Sequence, residues 1–358
     1  MKRNYYIVGL ILLIFFVISF LTNILGPLLP DIIDSFNLSL TMAGFLPFAF
    51  FIAYGVMSIP AGMLVEKYRE KRILLLAFIL ASVAALFFGL VSNFPVYLIS
   101  LFSIGLGMAM LQVAINPLLR VAGGEAHFAF NSVLAQLIFG LASFLSPQVY
   151  TYLVKNVPDE AKGGFIVASL RKIVPEGLPW ISLYWVFALI SVLMVIVIFA
   201  SKFPKVELKE DERVGAWSTT ISLFKNKIVI LYFFGIFAYV GSEQGVANWI
   251  SKFLSVYHGY DPQTTGADTV SYFWGLLTAG CLLGLLLLKL FDSRKVLIGF
   301  TAAAVVSLTA ALIGSGQVAL YAFPLVGFFA SVMWSIIFSL ALNSVEKHHG
   351  SFSGILCT

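Results

Sequence analysis

Charge is what this sequence has least of. Lysine, arginine, aspartate and glutamate together make up 11% of its 358 residues, whereas a soluble domain of that length needs roughly 25% to cover its surface. That shortage excludes an ordinary water-soluble protein. Cysteine is scarcer still: Cys281 sits in an apolar run and Cys357 at the end of the chain, which rules out a disulfide framework. The four histidines, His127, His258, His348 and His349, are expected in loops, and the adjacent pair lacks the further ligands that a metal site needs. The patterns HExxH, GxSxG, CxxC and the phosphate-cradling GxxxxGK[ST] do not occur. The expectation is therefore not an enzyme, with no cofactor, no bound metal and no ATP-driven pump.

What fills the chain instead is apolar. Hydrophobic residues make up 60% of it and the mean hydropathy is +0.98. A hydrocarbon core of about 30 Å takes about 20 apolar residues per helix. Ten stretches qualify, at 5–30, 40–65, 73–93, 95–118, 129–154, 179–201, 227–251, 268–290, 294–314 and 317–343. The pattern predicts an all-α polytopic membrane protein. The first stretch is longer than a signal segment, carries Pro27 and Pro30 and lacks a small-residue cleavage pattern, so it reads as a span. Short polar breaks separate the spans, among them Asp31–Asp34, Glu66–Arg72 and Ser92–Pro95.

The net charge of +5 would suit nucleic acid, but the cations sit in short loops between apolar runs, the mark of membrane topology, so no nucleic-acid partner is expected. With the N-terminus inside, seventeen Lys and Arg fall on the inner side and five on the outer: Lys155, Lys162, Arg171, Lys172 and Lys252. The positive-inside rule then gives a multi-pass protein of the cytoplasmic membrane with a cytoplasmic N-terminus. The one dense charge run, Lys205–Arg213, lies in a solvated linker at 202–226. It divides an N-terminal six-helix half, 1–201, from a C-terminal half, 227–358, of four spans. After the polar stretch 346–350, Ser351–Thr358 reads as the start of a fifth span, so the second half is expected to be incomplete.

Ionisable groups are costly at bilayer depth, and those that remain are functional candidates. On this span map only Glu243 among the acids lies well inside a helix. Gln244 and Asn248, four apart, stand one above the other beside it, and Gln112 and Asn116 repeat that spacing in the fourth span. Asn23 and Gln136 add neutral hydrogen-bonding groups in the first and fifth. Amides both donate and accept, which matches sugar hydroxyls better than an ion or a carboxylate. Trp274 and Trp334 fall near mid-span, where a ring face could stack on a sugar. Each amide could equally be a helix–helix hydrogen bond and each tryptophan ordinary packing; both readings stay open.

The segment Gly62-Met-Leu-Val-Glu-Lys-Tyr-Arg-Glu-Lys-Arg72 resembles the G-x-x-x-[DE]-[RK]-x-G-[RK]-[RK] loop of the major facilitator superfamily. Gly62, Glu66, Lys67, Lys71 and Arg72 match it, Arg69 stands where the second glycine belongs, and Glu70 intrudes on the basic run. Leu290–Lys295 resembles its degenerate counterpart in the second repeat. Leu28–Pro30, Ile59–Gly62, Gln112–Pro117, Leu134–Gln136, Tyr239–Glu243 and Trp274-Gly275 are similar to the fucose-permease branch of sugar–cation symporters. The resemblance implies the major facilitator fold, two six-helix repeats, here with the last two helices missing. It also implies a monomer in the lipid bilayer, a central monosaccharide site open alternately to either side, and a proton or sodium as coupling ion. The loop residues Gly62, Glu66, Lys67, Lys71 and Arg72 would gate it, the cations favoured by helix C-termini nearby.

Three departures bear on mechanism. Gly26 and Gln112 stand where that branch carries acids tied to proton coupling, and Gly280-Cys281 replaces a glycine–arginine pair. Coupling, if present, then falls to Glu243. The leading expectation is a symporter binding sugar through Gln112, Asn116, Gln244 and Asn248 and stacking it on Trp274 or Trp334. The alternatives are a facilitative carrier, an exporter of lipophiles walled by the 34 phenylalanines, an intramembrane sensor, or a remnant that transports nothing.

Overall fold

The computed structural model describes residues 4–124, 127–161, 163–204, 221–345, 352 and 354–356. Among them are ten helical spans long and apolar enough to cross a membrane, and no strand. Their order follows the apolar pattern, but several ends run on further. The linker run Lys205–Arg213, the pair His348-His349 and the residues 346–350 lie outside the described residues.

The first span is two helices, α1 (Tyr5–Thr22) and α2 (Leu25–Phe36). Pro27 explains the break: it has no N–H to offer the carbonyl of Asn23, and its ring crowds that carbonyl. The helix then continues through Asp31–Asp34, which was expected to be an interspan break, and closes only where Asn37 turns left-handed at φ 51°. Next come α3 (Leu40–Tyr68) and α4 (Glu70–Leu90). The expected loop Glu66–Arg72 is therefore almost wholly helical, and Arg69 alone joins the two spans. α5 (Phe94–Gly123), α6 (Phe128–Asn156), the short α7 (Phe165–Ile173) and α8 (Ser182–Ala200) follow.

Beyond the linker run α9 (Lys227–His258), α10 (Ala267–Leu290), α11 (Ser293–Ile313), α12 (Gly316–Ala330) and α13 (Met333–Leu342). His258, expected in a loop, is the last residue of α9, which ends there because the next residue, Gly259, adopts φ 68°. The tenth span is broken between α12 and α13. There the Ser331 hydroxyl turns back onto the Phe328 carbonyl at 2.7 Å, and the Cys281 thiol donates to the Ser331 carbonyl at 3.3 Å.

Compactness divides the chain into one unit of Met1–Ala142 with Gln148–Glu207 and another of Ser143–Pro147 with Leu208–Cys357. In the first, α5 is the central helix, with α1, α3 and α4 packed on it and α8 packed on α4. Two glycines let it be central. A Cβ on Gly105 would lie 2.5 Å from the Phe50 carbonyl of α3, and one on Gly107 would lie 2.9 Å from the Ala77 carbonyl of α4. Small residues let membrane helices approach this closely, and dispersion between backbones replaces the hydrophobic drive that lipid removes. In the second unit α12 packs on α10 and α11. Gly280 and Gly284 of α10 face Phe328 and Val332, while Gly327 of α12 faces the Phe273 carbonyl. The contact is reciprocal.

Candidate functional site

The candidate polar groups gather in three places, two within the spans and one at the junction of two spans. In the first unit, Gln112 and Asn116 lie on one exposed stripe of α5. The Tyr54 hydroxyl, from α3, donates to Gln112 Oε1 at 3.1 Å, and Asn116 Nδ2 donates back to the Gln112 carbonyl at 3.2 Å. That carbonyl has the N–H of residue 116 on the ordinary helical ladder, so Asn116 adds a second donor to it. The arrangement fixes Gln112 Oε1 and leaves its amide nitrogen without a partner among the described residues. Gln136 is likewise exposed, on α6. Asn23 is not: it is buried at the break of span one, where its Nδ2 reaches Ser19 Oγ at 3.5 Å and Ser19 Oγ donates to the Phe139 carbonyl at 2.5 Å. Ser19 thus ties the end of α1 to α6, and Asn23 supports it from the break.

In the second unit Glu243 is half-buried on α9 and holds two donors. The Tyr239 hydroxyl, one turn earlier, donates to Oε2, and Gln244 Nε2 donates to Oε1 at 3.3 Å. The Cys281 thiol of α10 lies within electrostatic reach of the same carboxylate. The expected Gln244–Asn248 stripe is divided in use, because Gln244 serves Glu243 while Asn248 is buried.

The two tryptophans do not stand together. Trp274 is 5% exposed, packed edge-on to Phe273 among Ala247, Ile250 and Phe323, with its Nε1 unpartnered. Trp334 stacks on Phe338 at 4.6 Å, in a separate cluster with Val229 and Ile236.

The third place is the junction of α3 and α4. Gly62 is buried, whereas Glu66, Lys67 and Arg72 are exposed and Lys67 lies 5.2 Å from the centre of the Tyr68 ring. Lys71 reaches the far end of the unit's last span, donating to the carbonyls of Phe199 at 2.9 Å and Ser201 at 2.7 Å. These are among the carbonyls that a helix C-terminus leaves without partners, and a cation there also meets the negative end of the helix dipole. Arg69 sits at φ 71° and ψ 157°, a region that glycine alone enters freely.

Three contributors are absent from the amide pattern. Tyr239 has a sequence signal, since it stands four residues before Glu243, and i and i+4 meet on a helix. Tyr54 has none, because its partner is on another helix. Asp31 was hidden by the expected loop: it lies on α2, and the fully buried Tyr150 donates to it at 2.6 Å.

The family model described as Major Facilitator Superfamily matches residues 11–358. The chain is 29% identical over 366 residues to a glucose/galactose transporter of Brucella abortus, taking in 99% of this chain and 85% of that protein. It is 26% identical to the L-fucose-proton symporter of Escherichia coli, over 98% of this chain and 84% of that one. Among solved structures, the E. coli fucose:proton symporter FucP superposes with a TM-score of 0.67 at 24% identity, covering 98% of this chain and 87% of that one. A bacterial homolog of the lysosomal transporter Spinster superposes with a TM-score of 0.80 at 17% identity, covering 99% and 79%. These superpositions show the fold.

Proposed function

The chain belongs to the major facilitator superfamily, a family of membrane transporters rather than enzymes, and from that premise we propose that it carries a neutral monosaccharide across the cytoplasmic membrane by alternating access. The observation that carries this reading is the exposed stripe of Gln112 and Asn116, held in place by Tyr54. Amides on a lipid-facing surface would lack partners, so an exposed amide stripe in a span belongs to a polar path. Its groups are uncharged and offer both donors and acceptors, the requirement for hydroxyls. Sequence likeness to glucose/galactose and fucose transporters over nearly the whole chain supports the same substrate class.

Coupling to a proton or sodium is assigned to Glu243. The carboxylate has two neutral donors and no cation partner among the described residues, so it can exchange a proton or help ligate a cation without breaking an ion pair. Lys71, with Gly62, Glu66, Lys67 and Arg72, forms the gating junction, Lys71 by its hold on the end of α8. The halves 1–201 and 227–358 act as the two moving bodies of a monomer, with the N-terminus and the 202–226 linker cytoplasmic.

The test is binding and uptake in proteoliposomes with labelled glucose, galactose and fucose. Gln112→Ala should weaken competition by free hexose about five- to thirty-fold, one lost amide–hydroxyl contact being worth about 1–2 kcal/mol. Hexose that neither binds nor competes in the unaltered chain would sink the substrate class. Binding that is indifferent to Gln112→Ala would remove the stripe from the site.

A further inference from the structure

The short helix α7, Phe165–Ile173, stands outside the transport path and has a surface that the proposed function does not use. One side of it is built into the protein: Val167 and Leu170 are buried, as is Val174 just after the helix. The other side is apolar and uncovered, with Phe165 88% exposed, Ile166 62% and Ile173 47%. At 100° per residue these three fall within one arc of about 100°, which adjoins the arc of the buried residues without overlapping it. Ser169 shares that arc, but its hydroxyl donates to the Phe165 carbonyl at 2.8 Å, so its polarity is satisfied within the helix.

The depth of α7 is set by Arg171. Its Nε donates to the Val157 carbonyl at 2.7 Å, and one terminal nitrogen donates to the carbonyls of Asn156 at 3.0 Å and Asp159 at 2.5 Å. These are the last carbonyls of the span α6 and the start of the loop after it. α7 is thereby held against the point where a membrane span ends. Tyr152, one turn inside that end, is 51% exposed, a residue type that collects where hydrocarbon meets headgroups. The exposed apolar arc is therefore tethered to the end of a helix long and apolar enough to span a bilayer. Lys172 is exposed beside the arc, and its long stem can keep the charge among headgroups while the helix body lies deeper.

We propose that α7 is an interfacial helix that lies in the headgroup–acyl boundary of the bilayer, with Phe165, Ile166 and Ile173 inserted and Lys172 at the polar surface. A short helix with an apolar face and flanking cations binds such a boundary in the plane of the membrane. Lipid is the occupant because the anchoring span ends there.

Nitroxide labels at cysteines replacing Phe165, Ile166, Ile173 and Glu176 test it in liposomes, with Cys281→Ser and Cys357→Ser removing the native thiols. Glu176 is exposed in the loop after α7 and serves as the aqueous reference. Relative to that reference, collisions with dissolved oxygen should rise and collisions with a water-soluble nickel chelate should fall at least threefold at all three positions. Nickel access at 165 and 166 equal to that at 176 would overturn the proposal. So would spin–spin broadening at 165 that disappears on dilution with unlabelled protein, since a second copy would then be the occupant.

Discussion

Replacing Arg69 by glycine should make this protein more stable. Arg69 is the only residue between α3 and α4, and it serves both: its N–H donates to the Val65 carbonyl at 2.8 Å and its carbonyl accepts from the Ile73 N–H at 3.4 Å. Reversing the chain direction in one residue forces φ to 71° with ψ at 157°. A side chain in that region costs about 1–3 kcal/mol, and glycine would remove the cost. Glycine also loosens the unfolded chain, which takes back about 0.4–1 kcal/mol. The balance is a stabilisation of about 1 kcal/mol. At roughly 2.1 cal/mol/K of unfolding entropy per residue, that raises the midpoint of a chain this size by about 1–2 °C. Intrinsic tryptophan fluorescence during heating in detergent reads the shift. Arg69→Ala is the control: it removes the charge but keeps the Cβ, and so should not stabilise. A glycine variant no more stable than the alanine variant would show that the junction carries no backbone strain.

Glu243→Gln should abolish accumulation of sugar against its gradient while counterflow exchange stays within about twofold of normal, because exchange needs no net ion movement; concentrative uptake that survives would remove Glu243 from coupling. Gly105→Ala should destabilise the protein by about 1–3 kcal/mol, since the new methyl would meet the Phe50 carbonyl at 2.5 Å and the Ala53 methyl at 2.9 Å. Gly44→Ala, with nothing within 4 Å, should be neutral or slightly stabilising in the same melt. Lys71→Met removes two charge-assisted hydrogen bonds to the end of α8 and should cost about 1.5–3 kcal/mol; an unchanged melt would make that contact dispensable. A cysteine placed at Lys67 should resist an impermeant thiol reagent applied to intact cells, and labelling from outside would invert the proposed orientation.

The glycine at the second position of the loop pattern illustrates what a resemblance can and cannot convey. The pattern marked Arg69 as an exception, but the reason for glycine appears only in the backbone, where a one-residue junction requires positive φ. Glu243 was legible because a charge in an apolar run needs no partner to be noticed. Its donor Tyr239 was legible in principle from spacing alone. Tyr54 was not, since helical periodicity says nothing about which residue of another helix will face Gln112.

The sequence by itself determined the class and the spans. Both follow from the free energy of moving residues between water and hydrocarbon, which adds along the chain and needs no knowledge of neighbours. It also determined which polar groups remain at depth. The tertiary structure decided how those groups are used. Packing set Gln112 against Tyr54, drew Gln244 away from Asn248 to Glu243, and buried Trp274 while stacking Trp334 on Phe338. It also carried the helix through Asp31–Asp34 and reduced Glu66–Arg72 to a single joining residue. The Tyr54–Gln112 pair and the burial of Trp274 depend on contacts between residues far apart in the chain. Lys71 on the carbonyls of Phe199 and Ser201 is the plainest case: the cation and its partners lie about 130 residues apart, and only the folding of α4 against α8 brings them within a hydrogen bond's reach.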